Sequence, residues 1–135
     1  MFYDFAITVP ANTLAAASHK EALKLTHGVI TSVRLDFKHG TDHLVHLVIK
    51  NGLHQVYPTN PGGTFNLDGV YCSFEDFYRF QEEPYELQVE AWSPGATYAH
   101  TIDVQIGLIE SEVALAGLKL LGGLARLFKL VGIKL

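Results

Sequence analysis

Residues 85–92, YELQVEAW, alternate side chains at a period of two: Tyr85, Leu87, Val89 and Ala91 fall on one side, Glu86, Gln88, Glu90 and Trp92 on the other. That period marks a half-buried β-strand, because successive side chains leave opposite faces of the pleat. The texture returns in residues 100–109, HTIDVQIGLI, with Ile102, Val104, Ile106 and Leu108 directed inward. It also returns in 28–37, GVITSVRLDF, where Val29, Val33, Leu35 and Phe37 take one face and Ile30, Ser32, Arg34 and Asp36 the other. Runs of this kind must bury one face each, which demands sheets packed on one another.

Turn chemistry separates the runs. Residues 2–9, FYDFAITV, form a first strand stopped by Pro10 and Asn12, and 14–25 read as a connection followed by a strand near 22–26. KHGTD (38–42) is a turn before HLVHLVIK (43–50), a strand apolar on nearly both faces. Asn51-Gly52 is a hairpin signal of the type I′ kind, which needs positive φ at both residues, and 53–58 is the returning strand. PTNPGGTFNLDG (58–69) is a long loop. VYCSFEDFYRF (70–80) fits either a helical turn capped by Ser73 with Asp76 or an edge strand. Seven or eight strands over residues 1–109 predict an all-β fold, an antiparallel β-sandwich of jelly-roll or immunoglobulin-like type. The 135 residues suit one such domain, and 48% hydrophobic content excludes a disordered chain.

Charge divides the chain. Residues 1–112 carry six Lys/Arg against all fourteen Asp/Glu, a net of −8, whereas 113–135 carry Lys119, Arg126, Lys129 and Lys134 and no acid, a net of +4. The overall −4 argues against a nucleic-acid partner held by phosphate contacts. The boundaries expected are a sandwich domain over 1–109 and a basic amphipathic C-terminal helix or arm over 110–135. On a helix, Glu112, Lys119, Gly122, Arg126 and Lys129 share one face, and Val113, Ala114, Leu118, Leu121, Leu124, Ala125 and Phe128 fill the opposite one. A helix from 113 to 131 would be about 28 Å long, close to a bilayer core, but its three cations are costly there. It docks on its own sandwich, packs on neighbouring subunits, or lies in a membrane interface. As an anchor it would act through Leu118, Lys119, Leu121, Leu124, Arg126, Phe128 and Lys129.

No motif for catalysis survives inspection, so no enzyme is expected. His39, His43 and His46 lie near Asp42, but His43 and His46 leave opposite faces of a strand, so no metal and no other cofactor is expected. Cys72, Ser73, His54 and Asp76 have no nucleophile elbow around them, and Cys72, the lone cysteine, reads as a small hydrophobe that forms no internal disulfide. Glu75-Asp76 and Glu82-Glu83 read as solvated turn faces, and Pro61-Gly62-Gly63 lacks the ending of a phosphate loop. Trp92, on the polar side of its strand, and Tyr57, Phe65, Tyr71 and Tyr98, in or beside loops, are candidate contacts for a ligand or a subunit, chiefly Tyr57, Phe65, Trp92 and Tyr98. The N-terminus lacks the pattern of a secretory signal peptide.

The stretches ITVPANT, GVITSVRLDF, HQVYPTNPGG and EPYELQVEAWSPGATYAHTIDVQIG, spanning residues 7–108, resemble small β-sandwich proteins of bacterial viruses and prophages. The resemblance implies a virion structural protein: a coat, decoration or spike-base subunit made in the host cytoplasm, whose partners are copies of itself and other particle proteins. Contact with a membrane would run through 113–135. The alternative is a carbohydrate- or receptor-binding module built on Trp92, Tyr98 and the 58–69 loop.

Overall fold

A computed structural model describes residues 1–80 and 83–110 and, further on, 112, 116, 117, 119–123 and 126. Eight strands form: β1 (Phe2–Val9), β2 (His19–Lys24), β3 (Gly28–Phe37), β4 (His46–Asn51), β5 (His54–Tyr57), β6 (Val70–Phe80), β7 (Glu86–Trp92) and β8 (His100–Glu110), with a 3-10 turn at Ala15–Ala17. They make two four-stranded antiparallel sheets, sheet A in the order β1-β8-β3-β6 and sheet B in the order β2-β7-β4-β5.

One nested pairing generates this order. β4 pairs with β5 across a tight hairpin, then β3 with β6, β2 with β7 and β1 with β8, all antiparallel. The long hairpin folds over until β3 also meets β8 and β4 meets β7. Eight strands wound in this way are a jelly roll, which decides between the two sandwich types expected. The core sits between the sheets. Leu87, Val89, Ala91, Ile102, Val104, Ile106 and Leu108 are all buried, as their alternation requires.

Local chemistry moves several elements from their expected places. The register of β3 shifts between Ile30 and Ser32 against both neighbours, making a bulge at Thr31. The bulge reverses the alternation: Ile30 joins Val33, Leu35 and Phe37 in the core cluster, and Val29 pairs with Arg79 and Ile109 instead of sharing their face. β4 starts at His46 rather than 43, because Asp42 and His43 hold φ of 48° and 57°, a left-handed conformation foreign to strands. The hairpin is present, but Gly52 (φ 61°) carries the positive φ and Asn51 does not. Glycine at the first central position fits a type II′ turn rather than type I′. β2 begins at His19, earlier than the expected 22, and 70–80 is an edge strand, so Ser73 caps no helix.

Gly28 closes the approach of β3 to β8. Its φ is 155°, and a Cβ there would lie 2.3 Å from the carbonyl oxygen of Ile109. Backbone cannot swing aside as a side chain can. Gly28→Ala is expected to lose more than about 1 kcal/mol, read as a lower urea midpoint at unchanged slope.

In the C-terminal segment, Glu112, Ala116, Gly117, Lys119, Leu120, Leu121, Gly122, Gly123 and Arg126 are helical and exposed. Of the expected anchor residues, Leu118, Leu124, Phe128 and Lys129 lie outside the described residues. Among the described residues no helix is long and apolar enough to cross a membrane.

Candidate subunit interface

The four sheet edges differ in how they are guarded. In sheet B, β2 reads HKEALK and exposes Lys20, Glu21 and Lys24, and β5 has four residues followed by Pro58, which has no N–H to donate. In sheet A the edges are β1, with eight residues, and β6, with eleven. Their exposed apolar side chains include Phe2 (67%), Val70 (52%), Tyr71 (58%) and Phe77 (52%). β1 carries one charge, Asp4, and those of β6 are Glu75, Asp76 and Arg79, which leaves Val70–Phe74 free of charge and of proline. Long edges with such apolar stretches can recruit another strand.

The β6 edge is regular only in part. Ser32 faces Glu75 and Ile30 faces Tyr78, so β6 sets two residues, Asp76 and Phe77, against Thr31. This irregularity leaves Val70–Glu75 as the even ladder. On its outer face the Arg34 guanidinium lies 3.9 Å from the centre of the Tyr71 ring, which stiffens that ring across the strand pair.

Where β5 and β6 approach each other, a cleft of about 300 Å3 opens between the sheets, lined by Tyr57, Pro58, Thr59, Phe65, Phe74, Glu75 and Asp76. Phe65 stacks on Phe74 (5.9 Å between centres, 15° between planes), and Tyr57 leans on the same ring at 5.2 Å. Phe65 holds its place because its backbone exchanges two 2.9 Å hydrogen bonds with Leu47, pinning the 58–69 loop to β4. The Tyr57 hydroxyl donates to Asp76 Oδ2 at 2.7 Å. Burial first, then the Asp76 hydrogen bond and charge, push the phenol above its ordinary range, so it stays protonated.

The four candidate contact aromatics do not form one platform. Tyr57 and Phe65 converge on Phe74, a residue that sequence reasoning did not single out, although it shares the period of Cys72 and Tyr78. Trp92 is half-buried and stacks on His46 (5.8 Å, 12°), whose Nδ1 lies 3.2 Å from Thr64 Oγ1. Loss of solvent lowers the pKa of His46 below its ordinary value. Tyr98 is 73% exposed, in the turn before β8.

The histidine-rich turn is built by hydrogen bonds. His43 Nδ1 donates to the Asn66 carbonyl at 2.8 Å, and Asp68 Oδ1 accepts from Gly40 N (3.0 Å) and from Thr41 Oγ1 (3.3 Å). Among the described residues no group of three or more His, Cys, Asp or Glu side chains converges as a metal site would. Of Cys72, Ser73, His54 and Asp76, the last is engaged by Tyr57, and His54 is exposed at the β4–β5 hairpin.

Asp68 gives the turn a pH dependence. The Asp42 backbone N–H, then those of Gly40 and the Thr41 hydroxyl, hold its carboxyl below the ordinary 3.8, with His39 adding to the effect. The unfolded chain therefore takes up this proton first as pH falls. The contribution is complete above the unfolded pKa and disappears as pH drops through the folded one. Between about pH 5 and pH 3 the wild type should lose more urea resistance than Asp68→Asn, compared by midpoints at each pH.

No family model and no curated protein matches this chain. A solved structure that is similar comes from work described as "Bacillus endospore appendages form a novel family of disulfide-linked pili". The likeness covers 82% of this chain and 88% of the other, at a TM-score of 0.46 and 19% identity. These comparisons lend the viral resemblance no support.

Proposed function

We propose that this chain is a non-enzymatic structural subunit that joins copies of itself edge to edge through sheet A. The observation that supports the reading most is the contrast of edges. In sheet B, β2 has Lys20, Glu21 and Lys24 among six residues and β5 is only four residues long. In sheet A both edges are longer and aromatic, with Asp4 the one charge of β1 and Val70–Phe74 of β6 uncharged. Direction agrees with it. β1 opposes β8, β8 opposes β3 and β3 opposes β6, so β6 runs antiparallel to β1. A second copy displaced sideways presents its β1 to β6 in antiparallel sense, and the sheet continues across the boundary. This contact is heterologous. Repetition closes it into a ring where the rotation allows, and otherwise extends it as a row or filament.

Jelly rolls include viral capsid domains as well as lectins and cupins, and a fold does not assign a function. At the finer level we read a virion subunit, a coat, decoration or spike-base protein made in the host cytoplasm. Its basic C-terminal segment attaches each copy to neighbours or to a membrane. Light scattering and electron microscopy of the full chain over a concentration series test the proposal. Growth into regular assemblies is the expected result, and added liposomes tell lipid attachment from neighbour attachment. A monomer at every concentration overturns it, and a monomer that binds glycans would bring the carbohydrate-binding alternative forward.

A further inference from the structure

We propose that the cleft between β5 and β6 receives a basic side chain, Lys119 or Arg126, from the C-terminal helix of a second copy. This rests on the self-association reading and names the surface that holds the tail. The walls are the rings of Tyr57, Phe65 and Phe74, the rim carries Glu75 and Asp76, and no basic residue lines the cleft. Tyr57 takes up Asp76 Oδ2, which fixes the carboxylate and leaves its other oxygen for a partner. Aromatic faces beside a fixed carboxylate suit a cation on an aliphatic stem, whose methylenes lie on the rings while its head meets the acid.

The chain contains a matching donor. Its bases concentrate in 113–135, a segment without acids, while the body carries the opposite charge. Lys119 and Arg126, both helical, stand seven residues apart, a spacing that in a regular helix is two turns or about 10.5 Å and puts two side chains on one side. Both are exposed, and beside them Leu120 (68%) and Leu121 (61%) are also exposed. With every described helical residue facing solvent, these cations are not seated in the cleft of their own chain. The charge match points to a neighbour's cleft.

The test uses the full chain carrying Arg126→Lys, so that both donor positions can be coupled to carboxylates. Nitrogen-14 and nitrogen-15 copies are mixed, treated with a carbodiimide and mapped by mass spectrometry. Mixed-isotope links from position 119 or 126 to Glu75 or Asp76 are the expected result. In chains without the coupling substitution, Lys119→Glu with Arg126→Glu should raise the apparent dissociation constant of the assembly about tenfold. Adding Glu75→Lys with Asp76→Asn, which keeps an acceptor for Tyr57, should restore it. Links confined to one isotope mean that the helix folds onto its own cleft and overturn the proposal. Assemblies that persist without any such link also overturn it while leaving edge-to-edge joining intact. Chains that stay monomeric and form no link overturn both.

Discussion

Phe37→Ala is expected to remove about 3–5 kcal/mol of folding stability, the range for truncating a large buried aromatic ring. Phe37 is fully buried and closes β3, paired with Val70 of β6 and Ile102 of β8. It therefore touches the strand that carries the proposed joining edge and the strand from which the C-terminal helix departs. Domains of this size are stable by only about 5–15 kcal/mol, so the variant should unfold at a much lower urea concentration or fail to fold. A loss below about 1 kcal/mol would mean that the sheets do not pack as described.

Val70→Lys combined with Tyr71→Lys is expected to weaken self-association roughly a hundredfold while leaving the fold in place. Both side chains are more than half exposed, so the sandwich loses little beyond the stacking of Arg34 on Tyr71. The added charges fall on the regular part of the β6 edge, where an incoming strand would have to desolvate them. Sedimentation velocity on wild type and variant, with far-UV circular dichroism as the check on folding, gives the comparison. The same pair of lysines placed on β2, at Ala22 and Glu21, should change association little.

Much of the fold could be read from periodicity. β1, β3, β7 and β8 lie where alternation and turn residues place them, to within a residue, because each buries one face of a sheet that a period of two describes well. The misplacements come from single residues that alternation does not register. Thr31 inserts a bulge and flips the faces of Val29 and Ile30, and Asp42 with His43 delays β4 by adopting positive φ. In 70–80 the aromatics suit a helical turn and an edge strand equally, and only the pairing with Ser32–Phe37 decides between them. The candidate site was legible in its parts but not in its assembly. Tyr57 and Phe65 stood out as loop-side aromatics, whereas Phe74 and Asp76 join them only when β5 and β6, from different sheets, meet at the same margin. Contacts between edges of different sheets leave no local pattern. The opposed charges of body and tail, by contrast, are a property of composition and were visible at once.

Hydrogen exchange, measured residue by residue on dilute and on assembled protein, tests edge-to-edge joining most directly. If copies join through sheet A, assembly should slow exchange along Val70–Glu75 and along β1, while β2 and β5 stay as fast as in the monomer. Protection that appears on β2 or β5 and is absent from β6 would contradict it.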